Sequence, residues 1–195
     1  MTKTVVACGA LALHIDRIAK RRGWDIAVKP LPPELHNRPE RIRAAVDAAG
    51  PADVVGYADC GTRGALDGLP RLPGADCYQL FAEFEQHEPG TYYLTDFLVR
   101  SFDRVVWRGL GLDRHPELRD DFFGNYTQVV WLAQEPTEEL RGKAERAAAA
   151  LGLPLRIRTT GETGLEQALE RLLSPELGSP TANQVPEFPE RSTPC

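Results

Sequence analysis

The sequence has little excess charge of either sign and contains no long apolar run. Its formal net charge is −5 over 195 residues, which argues against sequence-independent binding of nucleic acid, because that needs a basic surface. No apolar stretch is long enough to span a bilayer, and no charged leader with an apolar core precedes the first predicted strand. We therefore expect a cytoplasmic protein that binds neither nucleic acid nor membranes.

Cysteine is scarce, and glycine-rich nucleotide motifs are missing. Four cysteines in a chain of this length do not suit a disulfide framework, so in a reducing compartment they are thiols, metal ligands or catalytic groups. No Walker-type lysine loop occurs, and Gly109-Leu110-Gly111 lacks the glycine spacing of a dinucleotide fingerprint. The ordinary nucleotide-binding loops are therefore not expected.

The apolar pattern predicts alternating strands and helices. Strands are expected at 5–7, 25–28, 53–58, 91–94, 127–133 and 155–158. The first three alternate with two helical patterns, and this order is the signature of a parallel sheet. We predict an α/β fold of three-layer, Rossmann-like type, with a mostly parallel sheet covered by helices on both faces. A single domain is expected over 1–174, followed at 175–195 by a disordered tail rich in Pro, Ser, Thr and Glu.

Two predicted strands end in the same dipeptide, Cys8-Gly9 and Cys60-Gly61, and Cys77 follows shortly after. The carboxyl ends of parallel strands are where open α/β sheets bind ligands. Three thiolates with one open position suit a zinc ion, and they equally suit a [4Fe–4S] cluster whose free iron binds substrate. A cysteine at a helix N-terminus also has a lowered pKa and can serve as a nucleophile.

Six further residues complete the predicted site. Catalytic roles are expected for His36, Asp59 and His115, and cofactor or anion contacts for Gly9, Gly61 and Arg38. His36 follows the second strand, so it should share a rim with Cys8 and Cys60 as a fourth ligand or a general acid or base. Asp59 either orients a ligand, binds a substrate amine or simply holds a turn at the strand end.

Residues outside this set have plainer expected roles. Thr95 and Asp96 are expected to cap a helix over 96–108. The apolar segment 122–126 is expected to pack in the core, line a pocket or form a dimer contact.

Several segments together resemble domain-of-unknown-function family 1638 of bacteria and archaea. The matching segments are Ala7-Cys8-Gly9-Ala10-Leu11, 31–40, Gly56-Tyr57-Ala58-Asp59-Cys60-Gly61, Asp76-Cys77-Tyr78, 89–98, 109–118 and Phe123-Gly124-Asn125-Tyr126. The family usually has His where this sequence has Asp76. The resemblance implies no established activity, but the family's genes often neighbour those of corrinoid-dependent methyltransferases.

Three functions remain open at this point. The first is a metal-thiolate protein with Cys8, Cys60 and Cys77 as ligands of zinc or a [4Fe–4S] cluster. It would bind a small molecule or a methyl-group donor or acceptor, as a transferase or lyase in corrinoid-linked one-carbon or methylamine metabolism. The second is a non-catalytic partner or chaperone of a corrinoid protein or methyltransferase. The third is a metal-free hydrolase or transferase with an activated cysteine. Homo-oligomerisation is compatible with all three.

Overall fold

A computed structural model describes residues 1–82 and 87–174, and its six strands form two parallel three-stranded sheets. The strands are β1 (Lys3–Cys8), β2 (Ile26–Leu31), β3 (Val54–Gly56), β4 (Thr91–Thr95), β5 (Gln128–Ala133) and β6 (Leu155–Thr159). The first sheet has the order β2-β1-β3 and the second has the order β4-β5-β6. The two sheets thus divide the chain into an amino-terminal and a carboxyl-terminal half.

Helices connect the strands in both halves. They are α1 (Gly9–Arg22), α2 (Ile42–Ala48), α3 (Gln79–Ala82), α4 (Asp96–Phe102), α5 (Leu118–Phe123), α6 (Glu138–Leu151) and α7 (Thr163–Leu173). Two 3₁₀ turns, Pro33–Asn37 and Pro39–Arg41, precede α2, and a π-helical turn, Asp103–Trp107, continues α4. Within the described ranges, no helix has the length and apolar character needed to cross a membrane.

The predicted α/β class is confirmed, but the strands do not form the single sheet that we expected. The free edge of β3 explains the division. Val55 receives a parallel bridge from Arg71, with the Val55 amide donating to Pro70 and the Leu72 amide donating back to Val55. This edge is occupied, so β4 begins a second sheet. The predicted tail at 175–195 lies outside the described residues.

The first helix joins the two halves. Leu11, Ile15 and Ile18 of α1 are fully buried against the first sheet, at the spacing that keeps side chains on one helical face. The adjacent His14 is also buried, and its Nδ1 lies 2.6 Å from Glu162, just before α7. Leu165 and Leu169 of α7 enter the core of the first sheet. The carboxyl-terminal helix therefore packs on the amino-terminal half.

The end of β4 is fixed by a buried carboxylate. Asp96 is fully buried, and its oxygens accept hydrogen bonds from Trp131 Nε1 at 2.9 Å and from the amides of Gln134 and Glu135 at 3.1 and 2.8 Å. Thr95 caps α4 by accepting from the Leu98 amide, which confirms the predicted cap. The expected continuous helix instead changes to π geometry at 103–107. Such π turns often occur at functional sites.

Candidate functional site

Three cysteines from three separate segments line one enclosed pocket. Cys8 ends β1, Cys60 lies in the turn after β3, and Cys77 lies just before α3. His36 also borders the pocket, and residues from the start of the second half close it, among them Thr95, Leu98 and Val105. The carboxyl ends of β1, β3 and β4 therefore meet at this point. The pocket has a volume of about 20 Å³, which is room for one water or ion and for no organic molecule.

Backbone hydrogen bonds bring the segment of Cys77 to the turn of Cys60. The Asp59 amide donates to the Gly74 carbonyl at 3.0 Å, and the Cys60 amide donates to the Ala75 carbonyl at 2.7 Å. Cys60 itself has a φ of 50°, a left-handed conformation that costs a residue with a side chain roughly 1 kcal/mol. Non-glycine residues in such conformations concentrate at functional sites, and here the conformation belongs to a residue that faces the pocket.

Cys8 occupies the N-terminus of α1. The amides of Ala10 and Leu11 act on its sulfur and oppose the rise of its pKa, as the positive end of a helix dipole should. Burial outweighs them, so the pKa of Cys8 is raised. We expected an anion at this corner, but the amides of Ala10 and Leu11 interact with the Cys8 sulfur instead.

All three pocket thiols are neutral at physiological pH. Burial raises the pKa of Cys60 to about 12, with Cys8 and Asp76 adding to the rise. Burial also raises the pKa of Cys77 well above its ordinary value, again with contributions from Cys60 and Cys8. No nearby cation among the described residues lowers the pKa of these thiols, and each ionised sulfur would disfavour the ionisation of another. Near neutral pH, the thiols would therefore ionise only beside an added positive charge.

The hydroxyl of Tyr57 lies within this group of thiols. Tyr57 is 1% exposed, and burial, followed by the effects of Cys8 and Cys60, raises its pKa. A weak contact with the Cys8 sulfur influences both pKa values. Its geometry nevertheless falls outside that of a hydrogen bond, and the described residues offer the hydroxyl no other partner. A buried polar atom left without a partner is costly, so this atom marks a position for a bound group.

His36 stands between the thiol pocket and two outer cavities, since it lines all three. The residue is exposed as a whole, yet protein atoms crowd its ring. The resulting desolvation lowers the pKa of His36, and Asp76 opposes this only in part. The imidazole is therefore neutral near pH 7 and can accept a proton or bind a metal ion. The neighbouring Asn37 ties this turn to the π-helical turn by donating to the Val105 carbonyl at 3.0 Å.

Asp59 holds the turn that carries Cys60. Its carboxylate accepts from the Thr62 hydroxyl at 2.9 Å and from the amides of Arg63 and Gly64 at 3.2 and 2.8 Å. Burial tends to raise the pKa of Asp59, but these hydrogen bonds and nearby Arg71 lower it overall. Asp59 does not line the pocket. The structure thus places it as a positioning residue behind Cys60.

The other predicted site residues lie outside the thiol pocket. His115 is exposed and contacts Glu117 at 3.1 Å, and exposed Arg38 borders a different cavity. Gly9 is needed for close packing, because a Cβ there would lie 2.7 Å from the Leu31 carbonyl oxygen. Gly61 has a φ of 78°, which glycine adopts readily. The structure shows no common site for these four residues.

Sequence reasoning assigned no role to Tyr57. Tyr57 belongs to the segment 56–61 that resembles the family, and it is the one large polar side chain in the run 54–58. A tyrosine hydroxyl within an otherwise apolar run is the signal that could have pointed to it.

The three cysteines are not arranged as a preassembled metal site. Among the described residues, no three His, Cys, Asp or Glu side chains are arranged so that they could hold a metal ion. The cysteines share a pocket without forming a preassembled ligand cluster.

Comparison with known proteins gives one match. A family model described as "Protein of unknown function (DUF1638)" matches residues 30–169. That range includes His36, Cys60 and Cys77 and begins after Cys8. No curated protein and no solved structure matches the chain.

Proposed function

The chain belongs to the DUF1638 family of proteins of unknown function, and we propose that Cys8, Cys60 and Cys77 bind a single thiophilic metal ion, preferably zinc. The observation that supports this proposal is the convergence of three thiols on one enclosed pocket at the carboxyl ends of the strands. Thiolate ligands select zinc and other soft ions over hard cations. The family match itself carries no activity.

The size of the pocket favours a single ion over a cluster. A volume of about 20 Å³ admits one ion or water, whereas a [4Fe–4S] cluster would have to displace several of the surrounding side chains. Of the two metal centres that the sequence left open, the [4Fe–4S] cluster is therefore less well supported than a single zinc ion.

Protonation is consistent with an ion-binding role. The raised pKa values of Cys8, Cys60 and Cys77 keep the thiols neutral in the metal-free protein. A bound cation would ionise them and remove their mutual repulsion, with release of protons. Because the thiols are not preassembled, binding must also rotate their side chains about the ion. The same pKa values count against the alternative of an activated cysteine nucleophile, which requires a lowered thiol pKa.

Two groups are available for the fourth side of such an ion. The Tyr57 hydroxyl has no partner in the described part of the chain, and His36 borders the pocket on its outer side. A zinc ion with three protein ligands and an open position polarises a bound oxygen or sulfur of a substrate. We propose that Tyr57 orients that substrate atom and that His36 moves its proton. A transferase or lyase reaction on a small molecule is consistent with this arrangement. The link to corrinoid methyl transfer rests on the resemblance alone.

Metal analysis tests the proposal. Protein purified without oxygen should contain equimolar zinc, lack the broad visible absorbance of iron–sulfur centres and lose zinc in Cys8→Ser, Cys60→Ser and Cys77→Ser. Cys195→Ser is the matched control, because the fourth cysteine is not among the proposed ligands, and it should retain zinc. Wild-type protein without stoichiometric metal, or serine variants with unchanged metal content, would overturn the proposal. Stoichiometric iron and sulfide would replace the single ion by a cluster.

A further inference from the structure

A second cavity opens on the outer side of His36. It has a volume of about 180 Å³, and it shares His36, Leu98 and Val105 with the thiol pocket. We call it the aromatic groove, because its outer wall consists of Tyr92, Phe122, Phe123 and Tyr126. The two cavities are therefore neighbours, and the shared residues separate a molecule in the groove from the thiols.

The rings of the groove hold one another in fixed positions. Tyr92 meets Phe123 edge to face, with ring centroids 5.0 Å apart and planes at 89°, and it meets Tyr126 at 5.3 Å and 71°. Such contacts are favourable aromatic geometries. Phe122 is different, because it is 46% exposed and is one of the few large apolar side chains left in solvent. A preformed wall of rings with the polar atoms of His36, Asn37 and the tyrosines among them suits a ligand that has a ring and a polar substituent.

The groove offers nothing to balance a charge. Asp, Glu, Lys and Arg are all missing from the described residues that line it. The His36 imidazole is one of the polar groups of its lining. The other polar atoms are those of Asn37 and the two tyrosines. A charged ligand would lose its hydration without gaining a partner, so the lining favours a neutral ligand.

The volumes of the two cavities place the ligand in the groove. An engineered apolar cavity of about 150 Å³ holds benzene, so the groove, at about 180 Å³, has room for one ring. The thiol pocket has room for the single proposed ion and for no part of that ring.

We infer that the aromatic groove binds the uncharged ring of a small substrate and places one heteroatom of that ring's substituent beside His36, at the wall that the groove shares with the thiol pocket. The role as a substrate subsite rests on the proposed function. The binding of a neutral ring by the groove does not depend on a metal ion.

Ligand-observed NMR titrations on the metal-free protein test the groove, with benzyl alcohol, benzoate and benzylammonium as probes. Benzyl alcohol should bind at least about tenfold more tightly than either charged analogue, because only the charged ones lose hydration without compensation. Phe122→Ala should weaken benzyl alcohol binding several-fold, and Leu110→Trp, which fills the groove, should abolish it. Leu13→Ala is the matched control, because Leu13 is 54% exposed on α1 and borders none of these cavities; it should bind as the wild type does.

The outcomes separate this inference from the proposed function. Equal binding of the three probes, or binding unaffected by both groove variants, overturns the inference. So does a wild-type dimer in sedimentation that Phe122→Ala dissociates, because the groove would then be an interface between two copies. Failure of the metal analysis with intact selective binding of benzyl alcohol overturns only the metal proposal. Equimolar zinc without probe binding overturns only the groove.

Discussion

The Tyr57 hydroxyl lies beside the Cys8 thiol without reaching hydrogen-bonding geometry, and it has no other partner among the described residues. Both side chains are buried at the carboxyl end of the first sheet. An arrangement of this kind is unfavourable, because a buried hydroxyl has been removed from water without a protein partner among the described residues. It becomes favourable when a group arrives that the hydroxyl can bind.

Replacement of Tyr57 by phenylalanine should therefore stabilise the metal-free protein. Removal of the unpartnered hydroxyl relieves a desolvation cost of about 1 kcal/mol, and urea unfolding measures the change. Tyr93→Phe is the matched control, because the hydroxyl of this equally buried tyrosine accepts a hydrogen bond from the Glu88 amide at 3.1 Å. That variant should be destabilised. A loss of stability in Tyr57→Phe similar to that in Tyr93→Phe would show that the Tyr57 hydroxyl has a partner.

Replacement of Asp59 by alanine should disturb the site without touching the pocket. Three hydrogen bonds to its carboxylate hold the turn of Cys60, so their loss should cost about 1 to 2 kcal/mol, as for a lost helix cap. Zinc content should fall along with stability. Asp67→Ala removes only an exposed ion pair with Arg71 in the same loop, and it should change neither quantity appreciably. Normal zinc content in Asp59→Ala would deny Asp59 a positioning role.

The pocket thiols should make stability depend on alkaline pH. An unfolded cysteine ionises near pH 8.5, whereas the folded pKa of Cys60 is about 12. A raised folded pKa gives a stabilising contribution that is complete below about pH 8.5 and is lost as the pH rises toward 12. The free energy of unfolding of metal-free protein should therefore fall above pH 8.5, by about 1.4 kcal/mol per pH unit for each such thiol.

Two measurements check this pH dependence. In urea unfolding, the free energy of unfolding of Cys60→Ala should fall less steeply with rising pH than that of the wild type. In the wild type, iodoacetamide should modify Cys60 at neutral pH far more slowly than it modifies glutathione, because the thiolate fraction is smaller by roughly a thousandfold. A pocket cysteine that reacts faster than glutathione would instead support the cysteine nucleophile.

The pair of His14 and Glu162 should be important for joining the two halves. Both side chains are nearly inaccessible, at 2% and 8% exposure, so Glu162→Ala leaves the buried His14 Nδ1 without its hydrogen-bond partner and should cost about 1 to 3 kcal/mol. Glu170 of α7 pairs with Arg22 on the surface, at 47% exposure, and Glu170→Ala should cost less than about 1 kcal/mol. Equal losses in the two variants would show that burial of the His14 pair contributes nothing special.

Much of the local structure follows from the sequence. The strands β1, β4, β5 and β6 lie within a residue or two of their predicted positions. Gly23 and Gly152 end α1 and α6 in left-handed conformations, which glycine adopts readily at helix ends. These features depend on neighbours within one or two turns of the chain, so a local pattern is enough to reveal them.

The candidate site is only partly accessible to such reasoning. The Cys-Gly corners placed Cys8 and Cys60 at one rim, because parallel strands present their carboxyl ends together. Strand direction likewise placed His36 on that rim, and it does border the thiol pocket. His115, which was also expected in the site, is exposed and pairs with Glu117. Its position depends on how remote segments pack, and that is not a local property.

The sequence by itself determined the α/β class, the alternation of strands and helices, and the presence of thiols at strand ends, since short-range patterning and strand direction govern all three. The tertiary structure decided that the strands divide into two sheets, because the segment 70–72 occupies the outer edge of β3. It also decided that the second half closes the pocket over the cysteines and leaves the Tyr57 hydroxyl without a partner. Those outcomes depend on which remote surfaces pack together, and burial then sets the protonation and accessibility of the groups inside.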